Sequence, residues 1–244
     1  MTASARTSRQ VFPDPIRGVI FDMDGTLLDT EAVHRRAMAQ AGSILGHHVT
    51  DEVLLAMVGI HREENSRMLA AHFGPHFPLE QFYAESDALF EAALEAGIAL
   101  RPGTELVLEH IARANIPMAV ATSTHAPFAQ QRLAAAGIRD YFDVVVTRDD
   151  VVRPKPDPEP YLRAAALLGV NPGEAIAVED SHVGVRSATA AGIATVMVPD
   201  LLPPTEELTL AVAHVLPSLA DLAELLRETP SFQGSGLINE PSAG

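Results

Sequence analysis

The sequence has no cysteine in its 244 residues, and this absence removes disulfides, zinc-thiolate centres and thiol nucleophiles from its chemistry. Burial alone must then hold the chain together. With 47% hydrophobic residues, one large core, or one core with a smaller satellite, can form unaided. A cysteine-free composition also suits a reducing, cytoplasmic setting. Long apolar runs are missing too: no stretch reaches the ~20 residues that a membrane span requires, and the segment MTASARTSRQVFPDP has no apolar h-region. The expectation is a soluble, unexported protein with no membrane partner. Basic residues are scarce, with 17 Lys and Arg against 32 Asp and Glu, for a formal charge of -15. That balance argues against a nucleic-acid partner, which needs a basic face, and an anionic small molecule would need cations gathered locally. No internal repeat is present. The one biased stretch before the C-terminal end is Arg153-Pro154-Lys155-Pro156-Asp157-Pro158-Glu159-Pro160, which reads as a rigid loop.

What the sequence does hold is a set of short, continuous Val/Ile-rich runs of the kind found in parallel strands buried on both faces. They are Gly18 to Phe21, Met118 to Ala121, Val144 to Val146, Ala175 to Val178 and Ala194 to Val198. Helical patterns lie between them at Leu106 to Ala114, Pro127 to Ala136, Tyr161 to Leu168 and Val183 to Ala191, with Gly137, Gly169 and Gly192 placed for left-handed caps. Alternation of this kind predicts an α/β fold, a doubly wound parallel sheet with a Rossmann-like core spanning residues 16–29 and 101–228. Residues 30–100 break the pattern. No Val/Ile strand occurs there, and helices are expected at Thr30 to Gly42, Asp51 to Val58, Arg62 to Phe73 and Leu79 to Ala96, so this segment reads as an inserted helical cap domain joined at two crossings. Residues 1–15 and 229–244, rich in turn formers, are expected to be disordered.

The chemistry gathers where strands end. The first runs into Asp22-Met23-Asp24-Gly25-Thr26, the second into Thr122-Ser123-Thr124, and a later one into Glu179-Asp180-Ser181. In an open parallel sheet ligands bind outside the carboxyl ends of the strands, so these endings converge on one crevice. Clustered carboxylates repel one another, and a hard divalent cation resolves the repulsion. Carboxylates and water are ligands that magnesium prefers, so a Mg²⁺ site is expected.

In order and spacing, DMDGTLLDT, ATST, the lysine of RPKPDPEPY and VEDSHVGVRSATAAG resemble the four motifs of the haloacid dehalogenase-like superfamily. The likeness runs from about Ile16 to Leu226, and the helical insert resembles the branch with a cap at that position, which includes β-phosphoglucomutase-like members. The resemblance implies that Asp22 is a nucleophile forming an aspartyl-phosphate, and that Asp24 protonates the leaving oxygen and then activates water. It implies further that Thr122 and Lys155 contact the phosphoryl group, and that Asp22, Asp180, Glu179 and the backbone carbonyl of Asp24 hold magnesium. Physical reasoning agrees, because a carboxylate attacks phosphorus only when the charge of both groups is neutralised. Backbone N–H groups near Ser123 and Thr124 add anion-binding donors. Pro154 departs from the pattern, which usually has glycine before the motif lysine, and bears on that lysine's reach.

Plainer readings stand beside these. Asp22 and Asp24 could be turn residues, Thr122 and Ser181 helix caps, and Lys155 a solvated surface lysine. His125 and His182 lie beside the motifs, where either could touch substrate, whereas His47, His48, His61, His72 and His76 fit no ligand spacing and read as surface or cap-packing residues. Arg62, in a stretch that resembles the substrate-contacting loop of β-phosphoglucomutase-like members, could grip a distal anion or form a surface salt bridge. The expected activity is hydrolysis of a small phosphate monoester, such as a sugar phosphate or a phosphoglycolate-like compound. The alternative is a phosphohexose mutase sharing the same nucleophile. Asp24 counts against dehalogenation, which needs no leaving-group acid, and the full motif set counts against a non-catalytic phosphate sensor. Substrate identity and oligomeric state are not legible.

Overall fold

A computed structural model of the chain describes residues 10–58 and 62–233. Two compact units emerge, one formed by Leu28–Ala99 and the other by the residues on either side of it.

The first unit is helical: α1 (Thr30–Ile44), α2 (Asp51–Ala56), α3 (Arg62–Phe73) and α4 (Leu79–Ala96). Thr50 starts α2 by accepting a hydrogen bond from the Val53 N–H, the usual way a threonine satisfies an orphan donor of the first turn. α1 packs along α4, and Met38, Ala41, Leu54, Leu69, Phe77 and Phe82 fill the centre. Some of the histidines here pack against rings. His47 meets the rings of Phe73 and Phe77 edge-on, and His72 meets Phe73. Among the described residues no histidine joins a group able to hold a metal; His61 lies outside them.

The second unit is built on a six-stranded sheet: β1 (Gly18–Phe21), β2 (Met118–Ala121), β3 (Val144–Val146), β4 (Ala175–Glu179), β5 (Ala194–Met197) and β6 (His214–Val215). The order is β3-β2-β1-β4-β5-β6 and every pairing is parallel. Helices α5 (Thr104–Arg113), α6 (Ala126–Ala135), α7 (Glu159–Leu168), α8 (His182–Ala190), α9 (Glu206–Ala211), α10 (Leu219–Glu228) and α11 (Pro230–Gln233) complete it, lying on both faces of the sheet. β1, β2, β4 and β5 are buried along their whole length, as continuous apolar runs covered on both sides must be. Small residues bring α7 close: Ala164, Ala165 and Tyr161 pack on Ala119, Ala121 and Ala177. Gly137, Gly169 and Gly192 take positive φ at helix ends, as the sequence predicts.

The strand order reverses on either side of β1, so the crevice of a doubly wound sheet opens at the carboxyl ends of β1, β2 and β4. Two departures from the sequence expectation stand out. The sheet has a sixth strand, only two residues long, whose register with β5 pairs Val196 with His214 and Met197 with Val215. The parts of both expected tails nearest the fold, residues 10–15 and 229–233, are also ordered. The Gln10 side chain donates to the Ile193 carbonyl and accepts from the Thr195 N–H, Phe12 meets His214 edge-on, and buried Phe232 stacks on His110 at 5.0 Å. Tertiary partners, not local composition, order these segments. Residues 1–9 and 234–244, the rest of both expected tails, lie outside the described residues.

Candidate active site

The ladder places the key acids. Asp22 follows β1 directly and its N–H still bonds the Val178 carbonyl of β4 at 2.9 Å, so its side chain emerges at the carboxyl edge of the sheet. Thr122 sits likewise after β2, with its N–H on the Val146 carbonyl at 2.9 Å. Glu179 is the last residue of β4, and Asp180 follows it. One carboxylate oxygen from each of Asp22, Glu179 and Asp180 lies within 4.8 Å of the others.

Lys155 closes this cluster from the proline-rich loop. Its ammonium donates to Asp22 Oδ1 and Glu179 Oε1, both at 2.6 Å, and its side chain is only 5% exposed. Pro154 therefore does not keep the lysine from the site. The loop is pinned by Glu159, whose two oxygens accept the Val152 N–H at 2.8 Å and the Arg153 N–H at 3.0 Å. Ser187 of α8 donates to the Asp157 carbonyl at 2.6 Å.

Glu179 is the most heavily bonded of the acids. Its Oε1 accepts from Lys155 and from the Tyr161 hydroxyl at 2.8 Å, and its Oε2 accepts from the Asp180 N–H, the Ser181 N–H and the Ser181 hydroxyl. Ser181 also caps α8, accepting from the Gly184 N–H at 3.0 Å. Gly184 is needed for space, because a Cβ there would overlap the Glu179 carboxylate. Gly25 faces a similar limit: at φ 88°, a Cβ would sit 2.5 Å from Asp180 Oδ2. Thr26 donates to Asp180 Oδ1 at 3.0 Å.

Asp24 turns away from the cluster. Its Oδ2 accepts the Thr124 hydroxyl at 2.6 Å, and its Oδ1 faces Arg132 Nη1 at 3.4 Å. Its carboxylate is thus not among the grouped metal-competent oxygens. The Thr122 hydroxyl oxygen accepts the Thr124 N–H at 3.1 Å, which leaves its proton for another acceptor. Ser123 is exposed on the same turn. His125 is exposed as well, with Nδ1 2.6 Å from Asp149 Oδ1, and His182 Nε2 lies 2.9 Å from the Pro203 carbonyl. Arg62 belongs to the helical unit, where it pairs with exposed Asp87 at 3.3 Å and lies 4.0 Å over the Tyr83 ring. Gly59, Ile60 and His61, which precede it in the motif-like stretch, lie outside the described residues.

Charge in the cluster is unbalanced. Burial, opposed by Lys155 and reinforced by Glu179 and Asp24, pushes the Asp22 carboxyl up to about 8. Burial, with Asp22 and Glu179 adding to it, also holds Asp180 well above the usual carboxylate range. Lys155 goes the other way: burial would lower it, but Asp22 and Glu179 outweigh burial and hold it above the ordinary lysine value. Three acids, two buried and one partly buried, against one ammonium leave negative charge that another cation would relieve. An all-oxygen donor set suits a hard divalent metal, so the residues present fit such an ion.

The sequence profile of the family described as haloacid dehalogenase-like hydrolase matches residues 19–198. The chain belongs to that family. It is 35% identical over 181 residues to the fructose-1-phosphate phosphatase YqaB of Escherichia coli K12, covering 72% of this chain and 93% of the relative. With hexitol phosphatase A of the same organism it shares 36% over 182 residues, covering 72% and 80%. The structure of CbbY from Rhodobacter sphaeroides in complex with phosphate superposes with a TM-score of 0.67 at 32% identity, covering 85% of this chain and 96% of that one. This member of the haloacid dehalogenase-like hydrolases is a phosphoric monoester hydrolase. Among its described residues no helix is long and apolar enough to cross a membrane.

Sequence reasoning gave no role to Arg132 of α6, Tyr161 and Glu159 of α7 or Gly184 of α8, which come to the site through helix packing, nor to the side chain of Thr26 in the turn after β1. One signal was available for the lysine. Lys155 is the sole lysine of the sequence, the other 16 of its 17 basic residues being arginine.

Proposed function

We propose that the protein is a magnesium-dependent phosphatase acting on a small phosphorylated metabolite of the sugar or sugar-alcohol class. Asp22 serves as its nucleophile and Asp24 as its acid and base. The observation that carries this reading is the contact of Lys155 with both Asp22 and Glu179 at 2.6 Å, which sets a buried carboxylate beside a fixed positive charge. The names of its phosphatase relatives support the substrate class.

Asp22 and Asp180, with Glu179 behind them and the Asp24 carbonyl beside them, would hold Mg²⁺, whose charge lets an anionic carboxylate approach an anionic phosphoryl group. An oxygen of Asp22 attacks phosphorus, the bond from phosphorus to the ester oxygen breaks, and Asp24 gives its proton to the departing alkoxide. Lys155 and the Thr122 hydroxyl donate to the phosphoryl oxygens, as does the backbone around Ser123 and Thr124. In the second half, Asp24 takes a proton from water as that water attacks the aspartyl-phosphate. The bond from phosphorus to Asp22 breaks, and phosphate leaves. Thr124, already bonded to Asp24, keeps that carboxylate in place through both halves.

The test is a panel of monoesters, including fructose 1-phosphate, sorbitol 6-phosphate and β-glucose 1-phosphate, assayed with Mg²⁺ for released phosphate and, by ³¹P NMR, for isomers. Stoichiometric phosphate release is expected, together with an acid-stable phosphoenzyme that Asp22→Asn does not form. Isomer formation without release would overturn the phosphatase reading in favour of a mutase.

A further inference from the structure

Arg132 stands 108 residues from Asp24 in the chain and in the last turn of α6, yet its side chain is only 11% exposed and its Nη1 faces Asp24 Oδ1. A cation is welcome at the C-terminal end of a helix, but nothing in that preference aims it inward at an acid beside the reaction centre. The same Nη1 lies 3.5 Å from Thr124 Oγ1, and Thr124 Oγ1 is 2.6 Å from Asp24 Oδ2. The carboxyl group is thus held at both oxygens, by partners that differ in kind. A threonine hydroxyl donates or accepts, so it serves Oδ2 whether or not that oxygen carries a proton. A guanidinium has donors only and keeps its charge.

We propose that Arg132 is a positioning residue that fixes Asp24 Oδ1 as a permanent acceptor and so confines the proton that Asp24 delivers and recovers to Oδ2. The inference rests on the reading of Asp24 as acid and base given above. In phosphoenzyme formation the Oδ2–H bond breaks as the ester oxygen takes its proton, and Thr124 turns its hydroxyl from accepting to donating. In hydrolysis the water proton returns to Oδ2 and Thr124 turns back. Arg132 does not change partners in either direction. Without it, the proton has two oxygens to occupy and the carboxyl group can rotate, so only part of the population presents the acid to the leaving group.

Fructose 1-phosphate has an alcohol leaving group that needs this proton, and 2,4-dinitrophenyl phosphate has a phenolate that does not. kcat/KM, which reports steps through formation of the phosphoenzyme, is to be measured with both for wild type, R132M, R132Q, R132K and D24N. For R132M and R132Q the loss on the sugar ester is expected to exceed that on the aryl ester by about tenfold or more, a part of the ~10²–10⁴ that a positioned acid contributes, and R132K should recover part of it. Equal losses on both esters in whichever of R132M and R132Q folds, or no loss, would overturn the role of Arg132. D24N separates the two readings. If it shows the leaving-group difference and the arginine variants do not, only the Arg132 inference fails; if D24N loses both esters alike, the assignment of Asp24 fails first.

Discussion

Gly184 shows how tightly single residues constrain this centre. Its missing side chain makes room for the carboxylate of Glu179, which lies against the first turn of α8. Gly184→Ala must displace either that carboxylate or the helix start. The expected outcome is a fall in kcat of about a hundredfold or more with a measurable drop in melting temperature, since overpacking of this kind costs roughly 1–3 kcal/mol. An alanine variant with wild-type turnover and stability would contradict the placement of Glu179. The residues of the centre differed in how far the sequence exposed them. Asp22, Thr122 and Glu179 were legible because each ends a short Val/Ile-rich run, and strand ends in a parallel sheet share one edge. Arg132 was not, because its link to Asp24 runs through the tertiary angle of α6, and no local pattern encodes that angle. Asp24 was half legible: its neighbourhood to Asp22 was plain, but the turn of its carboxylate away from the acid cluster toward Thr124 needed the fold.

At the scale of elements, the loop from Val152 to Glu159 acts as a bracket for Lys155. Glu159 belongs to α7 yet accepts from the N–H groups of Val152 and Arg153, and these bonds hold its carboxyl below the usual range. Glu159→Ala frees the bracket while touching no buried apolar group, so a kcat decrease of about tenfold with a stability change under about 1 kcal/mol is expected, read from kinetics and urea unfolding side by side. Helices α9, α10 and α11 had no counterpart among the expected helices, α11 because four residues are too few to show helical periodicity; the Phe232 ring on His110 is what orders it. The same blindness hid β6, since two residues cannot show alternation. His110 makes this docking sensitive to pH. Burial, with Arg227 and Arg113 nearby, depresses its imidazole below 6.5, so the unfolded chain takes up the proton first as pH falls. Stability from this residue is therefore whole above about pH 6.5 and is lost below it. The urea midpoint of wild type should fall relative to that of His110→Phe as pH drops from 6.5 toward 5, with the difference between them constant above pH 6.5; a difference that stays the same down to pH 5 would rule out the histidine as the cause.

For the whole molecule, the composition and the centre pull in opposite directions. The chain carries a formal charge of -15, and its deepest polar cluster adds three acids around one ammonium. A cation that binds the folded state alone raises stability by mass action, by about 2.7 kcal/mol at a hundredfold excess over its dissociation constant. Mg²⁺ is accordingly expected to raise the melting temperature and EDTA to abolish turnover, while Asp180→Asn should lose most of the thermal shift. A melting temperature indifferent to Mg²⁺ would count against the triad as a metal site. The division into a helical unit and a sheet unit was visible in the sequence as a switch in periodicity, because strand and helix patterns differ wherever the cores are separate. The lone lysine has a consequence beyond catalysis. A protein with one side-chain amine, buried where Lys155 lies, offers amine-directed reagents no lysine on its surface. Acylation at residue 155 must therefore pass through the crevice that admits substrate or through opening of the structure around it, so the mass increment on that one peptide, followed over time with and without bound phosphate, reports how often this centre opens and needs no engineered label.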